Sequence, residues 1–250
     1  MIKYFFCLML CMGFANCTLD AQADSSQHLI FSQLYSSAEE EYGVDQELMN
    51  GFLFEDINED ASGHPYFLDY FSNQGSMIYR GKPYSNLVLR YNIFDQKLLL
   101  VYTFDNVQYK LYPHEEFISE FSIGNKTFIH KAFGVNEEAK FYQVLGEDLP
   151  VKILRYWEKS LTNLYANNSE SKMYTERAEA FILSDNTLLG YTGNSSFTRN
   201  FPPEKKAAIK KYLRKNKIKV MYAEDKEMRG LIEFIHSLEE QGNKVAEGYE

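Results

Sequence analysis

Between Phe54 and Phe67 the chain reads FEDINEDASGHPYF, with Asp56, Asn58 and Asp60 at alternate positions, as the oxygen ligands of a calcium ion often are. A helix–loop–helix calcium site beginning at Asp56 needs glycine at its sixth place and glutamate at its twelfth. Those places hold Ala61 and Phe67. Alanine resists the left-handed turn, and phenylalanine has no oxygen to offer. The stretch therefore reads as an acidic loop, ended by Ser62-Gly63 ahead of an extended Pro65-Tyr66 pair. No metal and no other cofactor is expected.

The remaining chemistry is sparse. None of the histidines His28, His64, His114, His130 and His236 belongs to an HExxH pair, and HEEFI from His114 lacks the second histidine. His130 alternates with apolar strand residues, and His236 adjoins the inner stripe of the last helix, so both read as structural. There is no G-x-S-x-G elbow, phosphate loop or dinucleotide fingerprint. His64 and Asp69 are near enough in sequence to form a polar pair, with Tyr66, Phe67, Tyr70 and Phe71 gathered around them. His64, Tyr66, Asp69 and Tyr70 are thus the candidate binding residues, set against core packing for the same rings. A carboxylate pair able to hydrolyse glycans is defined by spatial separation, which sequence does not display.

These residues must be held by a scaffold, and the composition indicates its kind. The chain has 250 residues, 45% hydrophobic and 24% charged, so it can build a sizeable core. It carries 19 Tyr and 19 Phe beside one Trp, a composition that favours strands. NLVLRYNI alternates, with Leu87, Leu89, Tyr91 and Ile93 on one face. KLLLVYTF is apolar on both faces, as a central strand is. VQYKLY follows after Asp105-Asn106, and FISEFSI and KTFIHKAF flank Gly124-Asn125, both turn signals. VKILRYWEKSLTNLY fits a helical stripe and also a strand. The strand is preferred, running into a polar connector at ANNSESK. ERAEAFILS and TLLGYT form a further hairpin across Asp185-Asn186. The C-terminal part reads as a proline-initiated helix with Ala208, Ile209, Tyr212 and Leu213 inward, a short strand KIKVMY, and a second amphipathic helix through Met228, Leu231, Ile232, Ile235 and Leu238.

The N-terminus has the order of an export signal. Lys3 precedes the apolar run YFFCLMLCMGF, and Ala21-Gln22-Ala23 supplies the small-x-small cleavage pattern. Cleavage after Ala23 removes all three cysteines, Cys7, Cys11 and Cys17, leaving a mature chain with no disulfide. Lipidation at Cys17 is the lesser alternative, because Asn16 is bulky where a small residue is wanted. A disulfide-free exported chain suits a bacterial periplasm or cell surface, or secretion from that cell. Nine acidic residues and no basic one lie between Glu39 and Asp60, and nine basic residues face only Glu204 between Arg199 and Lys219. Both runs read as solvated surface. A net charge of −9 does not suit nucleic-acid binding.

One stretch also carries a likeness. Asn50-Gly51, then Gly63 to Phe67, then Gly75, Tyr79, Gly81 and Tyr84, then Tyr91-Asn92-Ile93 resemble a family of uncharacterised exported proteins of Gram-negative bacteria. The lysine-rich C-terminal stretch is similar to that family as well. Asn92 stands where the family has aspartate, so a role needing that charge is not carried over. The resemblance implies an exported, β-rich envelope protein with a small helical C-terminal part. It supplies no catalytic residue.

The expectation is an α+β fold: an antiparallel β meander, sheet or partly open barrel, with a small helix–strand–helix portion. The expected divisions are a signal at 1–23, a helical or irregular segment at 24–73, the β region at 74–198, the helical portion at 199–241 and a tail at 242–250. The expected role is a non-catalytic envelope component that binds a surface ligand or another envelope protein. A carboxylate-based glycan hydrolase is the alternative, and a carrier of lipid or another hydrophobic ligand the second. No membrane span is expected in the mature chain.

Overall fold

Three two-residue turns show how the sequence folds back on itself. Phe104 pairs with Val107, Ile123 with Lys126 and Ser184 with Thr187. Asn106 and Asn186 take positive φ (60° and 63°), a conformation asparagine tolerates, and Gly124 takes 59°. Each hairpin expected across these turns is present. The computed structural model describes residues 45–54, 61–68, 73–104, 106–134, 136–149, 151–166, 169–184 and 186–247. The signal segment and the calcium-like Asp56-Asn58-Asp60 pattern lie outside them.

The chain divides into two units, residues 1–49 and 50–250. The described part of the first is the short helix α1 (Gln46–Met49), where Asp45 Oδ1 accepts the Glu47 N–H at 2.9 Å. The second is α+β. Its strands are β1 (Gly51–Leu53), β2 (Ala61–Ser62), β3 (Asn73–Tyr79), β4 (Lys82–Asn92), β5 (Lys97–Phe104), β6 (Val107–Pro113), β7 (Ile118–Ile123), β8 (Lys126–Lys131), β9 (Lys140–Leu145), β10 (Lys152–Ala166), β11 (Ser169–Ser184) and β12 (Thr187–Tyr191). Three helices follow: α2 (Asn194–Arg199), α3 (Pro203–Lys215) and α4 (Asp225–Glu247). The sheet order is β1-β6-β5-β4-β3-β7-β8-β9-β10-β11-β12, with β2 beside β11. The sheet is open, with β1 and β12 at its edges, and every pairing is antiparallel except the two-residue β2–β11 contact.

The inner face carries an aromatic core. Phe121 and Phe128 stack at 4.7 Å, Tyr91 meets both at 5.3 Å, and Phe141 lies 5.2 Å from Phe121 and 5.6 Å from Tyr91. Phe67 packs edge-on against Phe128 and Trp157. These rings come from β4, β7, β8, β9 and β10, so they meet only because the sheet curls. One side chain and one backbone N–H tie the curl. Gln96 Nε2 donates to the carbonyls of Ile93 (2.8 Å) and Trp157 (2.9 Å), and the Lys159 N–H donates to Ile93 O at 2.9 Å. The β4–β5 turn is thereby fastened to β10. Gly75 lets β3 approach β7, since a Cβ there would come within 2.0 Å of Ser122 O.

Further along the same face, Leu145, Ile153, Ala180 and Ile182 form a second core with Phe197, Ile209, Leu213, Leu231, Ile232 and Ile235 of the helices. A smaller cluster on the opposite face joins Leu99, Val101 and Tyr112 to Tyr66. β5 is accordingly buried on both faces, as its unbroken apolar run predicts.

Several boundaries differ from the sequence reading. ANNSESK is not a connector: only 167–168 separate β10 from β11, and the two strands pair from Lys152↔Leu183 to Ala166↔Ser169. The segment 24–73 contributes β1, β2 and the start of β3. KIKVMY is not a strand. Lys217 (φ 55°) reverses the chain at the end of α3, with Lys217 N–H donating to Arg214 O (3.3 Å) and Ile218 N–H to Leu213 O (2.9 Å). This is a left-handed helix cap with its apolar contact, Ile218 against Leu213. Asn194 holds the connector: Nδ2 donates to Ile218 O (2.6 Å) and Oδ1 accepts from Val220 N–H (2.9 Å). Alternating lysines and apolar residues thus mimic a strand where buried anchors alternate along a turn. α4 continues to Glu247, past the tail boundary at Gly242, because one interior glycine costs a helix only about 1 kcal/mol.

Replacing Phe128 by Ala is expected to cost about 3–5 kcal/mol in urea unfolding, whereas replacing exposed Phe52 costs under about 0.5 kcal/mol. Tyr191 gives a pH test. Its ring is buried, and its hydroxyl has no hydrogen-bond partner among the described residues. Burial pushes its pKa up to about 12, against a smaller lowering by Arg155. The folded pKa exceeds the unfolded value, so this stability is complete below the unfolded tyrosine pKa and is lost as pH rises through about 12. Tyr191→Phe should match or exceed the parent in stability at neutral pH and show a shallower alkaline decline in thermal melting.

Candidate functional site

Of the residues singled out in the sequence, His64 and Tyr66 lie together in a strap beside the end of β4, while Asp69 and Tyr70 lie outside the described residues. The strap is extended. Ile93 N–H donates to Pro65 O (3.0 Å) and Phe67 N–H to Tyr91 O (2.9 Å). Successive side chains therefore point to opposite faces. Tyr66 covers Leu99 and Val101, with the Arg90 guanidinium 3.6 Å from its ring centre, and Phe67 enters the aromatic core. His64 Nδ1 accepts the Tyr66 N–H at 3.2 Å. Lys159 Nζ donates to the carbonyls of His64 (3.0 Å) and Tyr66 (2.6 Å), tying the strap to β10. Tyr66 is 5% exposed. Here the core reading of these aromatics matches their placement.

Asn92 is also explained locally. Its Oδ1 accepts the N–H groups of Phe94 and Asp95, and its Nδ2 donates to Asp95 Oδ2 at 2.9 Å. A carboxylate at this buried position would face the Asp95 carboxylate with no proton to give.

A partly buried polar seam lies between the two inner-face cores. Asp225, in the first turn of α4, accepts from Lys126 Nζ (2.5 Å), Gln143 Nε2 (3.0 Å) and Arg155 (3.3 Å). Arg155 also donates to Ala223 O at 2.8 Å, and Trp157 Nε1 donates to Gln143 Oε1 at 2.8 Å. A carboxylate at a helix N-terminus suits the helix dipole. The seam joins β8, β9 and β10 to α4, and each of its charged groups has a partner within it. His130 is likewise engaged, its Nδ1 3.1 Å from Ile118 O and its ring stacked on Phe141. Among the described residues, no three metal-ligating side chains converge.

One concave feature of the described surface lies on the opposite face of β9–β12, away from the helices. It is a half-open cleft of about 620 Å³ with an aromatic floor of Phe133, Tyr142, Tyr156 and Phe181. Strand alternation places it there: Tyr142 and Val144 of β9 and Leu154 and Tyr156 of β10 point outward, opposite Phe141, Gln143, Ile153 and Arg155. Tyr142 packs on Phe133 at 5.3 Å and on Phe181 at 6.1 Å. Glu137, Glu138 and Glu179 stand at the rim. Glu179 is paired with Arg177, whereas Glu137 and Glu138 enter no ion pair among the described residues. Burial raises the pKa of Tyr142, as do Glu137, Tyr156 and Glu179, and burial raises that of Tyr156 along with Glu158 and Glu179. The cleft is thus electronegative around its phenols. Lys140 Nζ lies 4.7 Å from the Tyr156 ring centre, so the floor already takes a cation on one face.

The sequence reading did not single out these residues. Their signal was the run of apolar and aromatic residues on both faces of FYQVL, RYW and AFIL, which shows that the second face is also engaged. Compared with known proteins, the chain matches no family model, no curated protein and no solved structure. No helix among the described residues is long and apolar enough to cross a membrane.

The seam yields a stability test. Arg155→Met removes a buried cation from a partly exposed carboxylate, and its cost should fall between the roughly 1 kcal/mol of an exposed pair and the roughly 3–5 kcal/mol of a buried one. Arg229→Ala, which breaks the exposed pair with Asp148, should cost under about 1 kcal/mol in the same denaturant titration.

Proposed function

We propose that the chain is an exported, non-catalytic binding component of a bacterial cell envelope, and that the aromatic–acidic cleft on β9–β12 is its binding site. Export rests on the Lys3, apolar-run and Ala21-Gln22-Ala23 order. The single observation that supports the site is the combination of an outward aromatic floor with Glu137 and Glu138, both without an ion-pair partner among the described residues. Aromatic faces beside free carboxylates favour cations. The seating of Lys140 over Tyr156 shows the geometry such a group adopts. The occupant is therefore an amine- or guanidinium-bearing ligand. Close packing of rings on the inner face weighs against the lipid-carrier reading, since a carrier needs an internal space for its cargo.

Calorimetric titration with spermidine and with a neutral chitooligosaccharide tests this reading. Spermidine is expected to bind, more weakly as salt rises, and the Glu137→Gln, Glu138→Gln double variant should lose about tenfold or more in affinity. Absence of spermidine binding, or an unaffected double variant, would overturn the site. Cleavage of the sugar by the parent protein, lost in that variant, would replace the binding reading by the hydrolase one.

A further inference from the structure

Four cations of the basic run fall on one side of one helix. α3 turns Ile209 and Leu213 into the core and leaves Lys210, Lys211, Arg214 and Lys215 exposed. Lys217 and Lys219 continue the exposed run along the connector, and Tyr222 follows at 87% exposure. None of these six cations enters an ion pair among the described residues. Lys210 and Arg214, Lys211 and Lys215, and Lys211 and Arg214 are neighbours on the helix, and each such like-charge pair opposes it. The fold does not call for them. Burial of Ile209 and Leu213 holds the helix, and the Lys217–Ile218 cap ends it. An ordinary solvated helix face mixes both signs.

We propose that this face docks on an anionic phospholipid surface. Lipid phosphates complement a face on which Glu204 is the one acid of α3, and the lysine stems and the Tyr222 ring suit the headgroup layer, where an apolar body with a polar tip is favoured. Ile209 and Leu213 pack with Ile153 and Ile182 on the sheet face opposite the cleft. Docking through α3 therefore leaves the cleft turned away from the bilayer. The inference does not rest on the cleft having a ligand.

Sedimentation of the full chain with phosphatidylcholine vesicles, with and without phosphatidylglycerol, tests it. The apolar run Tyr4–Phe14 would act on both kinds of vesicle, so the readout is the difference between them. Partition into the anionic vesicles should be markedly stronger and should fall steeply with salt. Each cation near such a surface is worth about fivefold, so K210Q/K211Q/R214Q/K215Q should lose on the order of 600-fold while keeping the parent's circular dichroism. K217Q/K219Q, whose positions follow the helix and whose backbone cap does not use the lysine side chains, should lose about 25-fold. Tyr222→Ser should show a smaller loss. Equal partition into both vesicles, undiminished binding by K217Q/K219Q or by a folded quadruple variant, or tighter binding to duplex DNA than to anionic vesicles at one salt concentration would overturn the proposal.

Discussion

Curvature of the sheet is the condition on which both cores, the seam and the cleft rest, and aromatic rings set it. Tyr91, Phe121, Phe128 and Phe141 belong to four strands, yet their centres lie within 4.7–5.6 Å of one another where they touch. A flat sheet spaces its strands about 4.8 Å apart and would spread the outer pairs well beyond such contact. Edge-to-face and stacked rings are also the arrangements that aromatic quadrupoles favour. Once the sheet is rolled, Trp157 reaches Phe67, Gln96 reaches the carbonyl of Trp157, and Lys159 reaches the strap. The same roll carries β10 and β11 under the helices.

The polar seam marks where one core gives way to the next. Gln143 and Arg155 are buried among residues that could have been apolar, and their partners sit on a different element, at Asp225 and Ala223. Apolar contact alone would let α4 slide along the sheet, since burial is non-directional. Hydrogen bonds of fixed geometry define its position. The exposed cations of α3 lie on the helical side of the sheet, and Glu137 and Glu138 stand at the rim of the cleft on the other side, beside Lys140. Pleating puts the cleft there, because neighbouring residues of β9 and β10 serve opposite sides.

Much of this architecture is legible in the sequence for local reasons. Asp105-Asn106, Gly124-Asn125 and Asp185-Asn186 mark their turns because few residues accept positive φ. The apolar run of β5 discloses burial on both sides. What was hidden depends on partners distant in sequence. The strap at Pro65–Phe67 and the seam at Asp225 are contacts across many residues, and no local pattern encodes them. The cleft is hidden for the same reason: Tyr142, Tyr156 and Phe181 become one surface only once the register of three strands is known. KIKVMY misleads because a capped turn and a strand can bury the same alternation. ANNSESK misleads because polar residues are tolerated in a strand where its side chains are exposed, as at Ser171 and Lys172.

That last point bears on the ribbon formed by β10 and β11. β9 leaves its side at Arg155↔Gln143 and β12 joins at Ala180↔Tyr191, and the β4–β5 turn and the strap reach β10 no further than Lys159, so beyond that, among the described residues, the two strands pair with no other strand but β2, at Lys172 and Met173. A two-stranded ribbon has little apolar area to hold it and twists more freely than a full sheet. Amide protons should therefore exchange from the tip inward while the rolled sheet stays shut, giving one molecule two separate thresholds of opening.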